Sequence, residues 1–133
     1  MPINSRNKGA SAERQVAKLI YDHLGVKLKR NLEQTRSGGH DLVPESPGLL
    51  DDFAIEIKRY AKITKPLLDK FWEQAIEQAE NAGKLPILIF RGDREEWRVA
   101  IALRDLNAVL FKVSVFNFAI LEFVDFCEFV RER

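Results

Sequence analysis

Glu56 and Lys58 flank Ile57 in the run Phe53-Ala54-Ile55-Glu56-Ile57-Lys58-Arg59-Tyr60, where apolar positions alternate with others. That alternation marks a strand, and side chains two apart on a strand leave the same face. A carboxylate and an ammonium therefore stand together, while Phe53, Ile55 and Ile57 turn to the core. Such a pair can hold a hard cation and a phosphate at one place. It can equally be an exposed cross-face ion pair, a common surface feature.

Asp41 supplies a second acid, fifteen residues before Glu56 and directly after Ser37-Gly38-Gly39-His40. The separation suits two neighbouring antiparallel strands that bring both carboxylates to one end of a sheet. Magnesium takes oxygen ligands in octahedral array and keeps several waters, so two carboxylates and one backbone carbonyl are enough. The carbonyl of Ile57 is the natural third oxygen. Gly38 and Gly39 lack a Cβ and would let a nucleic-acid backbone approach closely. Asp41 could instead simply end the loop, leaving Asp51 or Asp52 as the partner of Glu56, although both of those read as turn residues.

Glu13 is the third acid. On a helical projection it falls among Val16, Ala17, Ile20 and Leu24, in the first turn of an apolar stripe. An inward carboxylate is costly unless it is paired, protonated or bound to metal. The alternative is a side chain bent out to water near the helix N-terminus, worth under about 1 kcal/mol.

The elements that must position these groups follow from periodicity and punctuation. Residues 1–10 read as a polar, flexible lead-in, and Ser11 to Leu24 as a helix stopped by Gly25. Val26 to Leu32 reads as a strand, Thr35 to His40 as a loop, and Asp41 to Val43 as a short strand closed by Pro44. After the Phe53–Tyr60 strand, a helix runs from about Pro66 to Ala82, with Gly83 as its stop. Its buried stripe is Leu68, Phe71, Trp72, Ala75, Ala79 and Ala82. Pro86 to Phe90 is a continuous apolar strand suited to the middle of a sheet. Trp97 to Leu103 returns after a turn, Arg104 to Leu110 forms a short helix, and Val113 to Phe123 forms a strand before a terminal helix from about Val124. The order predicts a mixed α/β sandwich, with residues 11–133 as one domain.

Composition narrows the function classes. The 133 residues are 46% hydrophobic and 31% charged, the ordinary balance of a globular protein. No apolar run reaches the roughly 20 residues a membrane helix needs, so no membrane partner is expected. The first residues carry no apolar signal core, which points to a cytoplasmic setting. Cys127 is the only cysteine, excluding an internal disulfide framework and a cysteine-rich zinc site. Net charge is only +1, but up to Arg36 eight Lys/Arg face three acids, and the last fifteen residues reverse the balance. This asymmetry can set a basic surface against a phosphate backbone; a solvated helix face and strand explain it equally well.

Gly9-Ala10-Ser11-Ala12-Glu13-Arg14, Ser37-Gly38-Gly39-His40-Asp41, Ala54-Ile55-Glu56-Ile57-Lys58-Arg59 and Trp72-Glu73-Gln74-Ala75 together resemble the PD-(D/E)XK nuclease superfamily. The likeness is to its Holliday-junction-resolvase-like branch and to small phage endonucleases, and it runs from about Lys8 to Leu103 in motif order and spacing. His40 stands where the motif name has proline, a position that supplies no ligand.

The resemblance implies a restriction-endonuclease-like α/β fold with an α-β-β-β-α-β core and a C-terminal strand and helix. It also implies hydrolysis of DNA phosphodiester bonds with Mg²⁺, or Mn²⁺ in its place. By that likeness Asp41 and Glu56 bind metal, Lys58 acts on the attacking water, Glu13 is the helix-borne acid, and Gln74, with Gln78, is the helical glutamine near the site. Lys8, Arg36, Ser37, Gly38, Gly39 and Arg59 are candidate DNA contacts; Arg59 points away from Lys58 on a regular strand. A catalytically inactive DNA-binding or assembly module of the same fold is the alternative, against which the intact Asp41, Glu56 and Lys58 argue. His23 and the Trp72/Trp97 pair read as structural. Finally, the aromatic-rich stretch from Phe116 to Phe129 mostly fills the core, and any apolar remainder would suit a homodimer.

Overall fold

In a computed structural model, which describes residues 5–31 and 41–133 and the side chains of 9–31 and 41–133, the alternating run around Glu56 forms the strand Phe53–Arg59. In chain order the elements are α1 (Ser5–Leu24), β1 (Leu28–Arg30), β2 (Leu42–Pro44), β3 (Phe53–Arg59), α2 (Lys65–Ala82), β4 (Leu85–Arg91), β5 (Arg98–Ala102), α3 (Leu103–Leu106), β6 (Phe118–Glu122) and α4 (Phe123–Glu132). The six strands lie side by side in sequence order, β1 to β6. Every neighbouring pair is antiparallel except β3 and β4, which are parallel. A parallel pair needs a crossover, and α2 supplies it.

Local chemistry sets the ends of α2. Thr64 caps its start by accepting the Leu67 N–H, and a proline occupies the first turn. Gly83 ends it in the left-handed conformation at φ 65°, its N–H returned to the last helical turn. Gly25, at φ 70°, ends α1 in the same way.

Two cores sandwich the sheet. Ala12, Val16 and Ile20 of α1 and Phe126, Cys127 and Val130 of α4 pack on Ile55, Ile57, Ile87, Ile89, Val99 and Ile101. On the opposite face Leu68, Phe71, Trp72, Ala75 and Ile76 of α2 cover Leu88, Phe90, Ala100 and Ala102. Ile87, Leu88, Ile89 and Phe90 are all fully buried, as a central strand requires. Each such side chain contributes about 1.5–3 kcal/mol.

The architecture is the mixed α/β sandwich expected, with several boundaries moved. The helix α1 begins at Ser5 rather than Ser11, because no proline in between stops it. The strands β1 and β2 are three residues each, and Asp41 lies in a bend just ahead of β2. The short helix stops at Leu106, because Asn107 folds its side-chain oxygen onto the N–H groups of Val109 and Leu110. The last strand starts at Phe118 rather than Val113, because a turn in which Asn117 N–H reaches Ser114 O precedes it. Trp72 Nε1 donates to Val115 O at 3.0 Å and fastens that irregular segment to α2. Among the described residues no helix is long and apolar enough to cross a membrane.

Candidate active site

The site forms where backbone pairing between β2 and β3 runs out. Leu42 opposite Ile55 is their one register pair, so one step back along the same register sets Asp41 opposite Glu56. The Asp41 backbone is held from both sides: its N–H donates to Ile55 O and its C=O accepts from Asn31 N–H, each at 2.9 Å. Beyond that point β3 has no strand partner on this side among the described residues. The Asp41 carboxylate takes over, accepting the Ile57 N–H through Oδ2 at 2.7 Å. The N–H and C=O of one strand residue point to the same edge, so the Ile57 carbonyl opens onto this gap as well.

Glu56 and Lys58 leave β3 on the face covered by α2, in parallel register with Leu88 and Phe90. Lys58 Nζ lies 3.8 Å from Glu56 Oε1 and 5.2 Å from the centre of the Phe71 ring. Phe71, with Tyr60 stacked beside it, is therefore the wall that keeps the ammonium over the acids. Asp41 and Glu56 are buried, at 6% and 8% exposure. Glu13 is also buried, and it reaches the group from α1.

Three inward acids strain one another electrostatically. The Glu56 carboxyl is pushed up to about 8, first by burial and then by the negative charge of Asp41, with Lys58 pulling the other way. Its proton is also favoured by a hydrogen bond within reach of the Asp41 carboxyl and by Glu13. Glu13 is raised as well, by burial and by Asp41, against Arg30 and Arg14. Its carboxylate is engaged: Arg30 Nε donates to Oε2 at 2.6 Å.

The arrangement fits a hard divalent cation. Two carboxylates meet in a buried gap, and Glu56 Oε2 is buried with no hydrogen-bond partner. With both acids ionised nothing compensates that oxygen; a shared proton or a cation would. Among the described residues no three acidic, histidine or cysteine side chains enclose a metal by themselves, and Glu13 is paired with Arg30. Magnesium does not need three, since it binds through one or two carboxylates and keeps water and substrate oxygens in its other positions.

Asp41, Glu56, Lys58, Glu13 and the Ile57 backbone thus come together as the spacing suggests. Gln74 is half-buried on α2, and no hydrogen bond joins it to the acids among the described residues. Arg59 projects from the opposite face, toward Asp93 at 3.8 Å. Arg36, Ser37, Gly38, Gly39 and the Lys8 side chain lie outside the described residues. Sequence reasoning missed Arg30 and Phe71 as parts of the site. Arg30 sits on a strand whose edge is basic, and a carboxylate aimed inward on α1 calls for a cation; those two signals together point to it.

The family described as "Phage putative PDDEXK endonuclease" matches residues 4–126. Protein D14 of Escherichia phage T5 is 26% identical over 120 residues, covering 79% of this chain and 75% of its own. The solved structure of Archaeoglobus fulgidus Hjc, a Holliday junction resolvase, is similar at a TM-score of 0.47 and 21% identity, over 69% of this chain and 70% of that one.

Proposed function

Because the chain belongs to the phage PD-(D/E)XK endonuclease family, whose match spans residues 4–126, we propose that it hydrolyses DNA phosphodiester bonds with Mg²⁺ or Mn²⁺ held by Asp41 and Glu56. The observation that carries this reading is the buried Asp41–Glu56 pair with the Lys58 ammonium 3.8 Å away. A bound divalent ion supplies Lewis-acid stabilisation of the phosphate and of the attacking water. The Ile57 carbonyl, open to the same gap, would be a third oxygen for it.

The chain's own groups do the rest. Ile57 N–H holds the Asp41 carboxylate in the gap, and the register between β2 and β3 sets it against Glu56. Lys58, propped by Phe71, presents a proton donor where charge grows on the scissile phosphate, or orients the water that attacks it. Arg30 holds Glu13 in place as an outer acid that orders water near the gap. Lys27 and Lys29, exposed on and beside β1, join Arg36 and Lys8 as phosphate contacts that position DNA without reading its sequence. Action in the cytoplasm of a host cell accords with this reading. The motif likeness to the junction-resolvase branch makes branched DNA the substrate to try first.

The test is cleavage of labelled four-way junctions, flaps, nicked and plain duplexes in Mg²⁺ and in Mn²⁺. Wild type should cut, and Glu56→Ala and Lys58→Ala should not. Equal cutting by all three proteins would mean a contaminant and would end the proposal. A preference for plain duplex would remove structure selectivity alone.

A further inference from the structure

The face of β3 that carries Glu56 and Lys58 continues to a third residue. Tyr60 stands two positions beyond Lys58, as Lys58 stands two beyond Glu56, and alternation returns all three to one side. The packing agrees. Tyr60 lies against Phe71 of α2, the ring centres 5.0 Å apart and the planes 41° to one another. Lys58 Nζ lies 5.2 Å from the same Phe71 centre. Ammonium and phenol are therefore neighbours, apart by no more than those two lengths together.

The two rings differ in exposure. Phe71 is buried at 3%, whereas Tyr60 is 45% exposed. The Tyr60 backbone is nonetheless held, because its N–H donates to Arg91 O at 3.3 Å and extends the ladder with β4 one place past the strand. A flat aromatic ring is thus presented to solvent on a fixed mounting, backed by a buried one. Lys62, two residues further on, is exposed as well.

We infer that Tyr60 is a stacking platform for a nucleobase, the one next to the phosphate that Lys58 engages. The inference rests on the nuclease reading and names a residue that makes that site selective. Every base has a π-face, so a phenol ring takes any of them without reading sequence. The surrounding charge suits a nucleotide: Lys58 precedes the ring and Lys62 follows it, one cation for each phosphate flanking the stacked base. Inside a continuous duplex a base is already stacked on its neighbours, and taking it out costs free energy. A base that is bulged, mismatched or at a branch point has a face free. Tyr60 therefore favours DNA with an unpaired base beside the cleaved bond and adds nothing for plain duplex.

The test removes the base as well as the ring. Two duplexes are compared, one with a single bulged adenine and one with an abasic tetrahydrofuran nucleotide in its place. Fluorescence anisotropy in chelator reads affinity with no strand cut. Wild type should bind the bulged adenine about tenfold more tightly than the abasic bulge. Tyr60→Leu should bring the two to one affinity, while Tyr60→Phe and Tyr60→Trp keep the difference. The exposure of Tyr60 lets these variants fold, which thermal unfolding checks. In Mg²⁺ the same dependence on the base should appear in kcat/KM for cleavage beside the bulge. A ring that only shields Phe71 and Lys58 would, on removal, weaken both duplexes by one factor, and that result overturns the stacking. So does a wild type indifferent to the missing base. Base-dependent binding without cleavage would count against the nuclease alone, and cleavage without base dependence against Tyr60 alone.

Discussion

The strand β3 has two unlike neighbours. Toward β4 it is paired through seven consecutive positions, with Ile55 against Ile87 and Ile57 against Ile89, fully or almost fully buried. Toward β2 it has one register pair among the described residues, after which a side chain, Asp41, accepts the Ile57 N–H. The first junction is a hydrocarbon seam in which every backbone group has its ladder partner. The second leaves a gap lined by a carboxylate pair, a main-chain carbonyl and an ammonium. The same strand thus serves stability on one side and chemistry on the other. Among the described residues, the division falls where the β2 register gives way to the Asp41 side chain.

The sharpest way to break that comparison is to neutralise the gap. Glu56→Gln should lower cleavage by about a thousandfold, roughly 4 kcal/mol in activation free energy, while leaving the fold as stable as before or more so. Asp41→Asn should behave alike, because an amide oxygen can still accept the Ile57 N–H while the repulsion between Asp41 and Glu56 disappears. Single-turnover cleavage read beside thermal unfolding checks both. A variant that loses stability as well as activity would show that the acids hold the strands together, and the contrast would fail.

The complementary change attacks the seam. Ile89 is fully buried between β3 and β5. Ile89→Ala should cost about 2–5 kcal/mol of stability, with cleavage per folded molecule kept. Urea unfolding provides the first number, and cleavage at a temperature where the variant remains folded provides the second.

This contrast also explains what could be read from the sequence. The β3–α2–β4 unit was legible because its signals are local: alternation in Phe53–Arg59, a proline and a glycine bracketing one helical stripe, and the apolar run of β4. Asp41, Glu56 and Lys58 were legible because charged groups interrupt otherwise apolar patterns. What escaped depended on contacts distant in the chain. Arg30 pairs with Glu13 across 17 residues, and Phe71 becomes part of the site only once α2 lies over β3. The apolar composition of the stretch 107–117 suggests helix and strand; side-chain turns at Asn107 and Ser114 prevail over that composition.

A smaller effect follows from the raised Glu56 carboxyl. Its ordinary value is 4.5 and its folded value about 8, so between those limits the folded chain holds a proton that the unfolded chain has released. Stability must then fall as pH rises from about 4.5 through 8, by on the order of a few kcal/mol in the metal-free protein. The melting temperature should decline over that span in chelator, and Glu56→Gln should flatten the decline. Mg²⁺ should restore more stability at pH 8.5 than at pH 6, because the ion replaces the proton only where the proton has left. An identical slope for the variant would mean that another group sets the pH dependence.

The smallest expected effect lies at the far end of the seam, where α2 delivers the chain into β4. Gly83 holds φ 65°, and a Cβ built on it would meet nothing within 4 Å. The cost of Gly83→Ala is therefore conformational alone, about 1 kcal/mol, partly offset by the stiffer unfolded chain. It should lower the melting temperature by about 4 °C, and Gly83→Asn should lower it less, because asparagine enters the left-handed region more readily. Neither change approaches Asp41 or Glu56, and the seven-position ladder lies between, so cleavage per folded molecule should be the same in all three proteins. If activity tracked the melting temperature through this series, the gap would be sensing the strain of the seam, and the two sides of β3 could no longer be treated as independent.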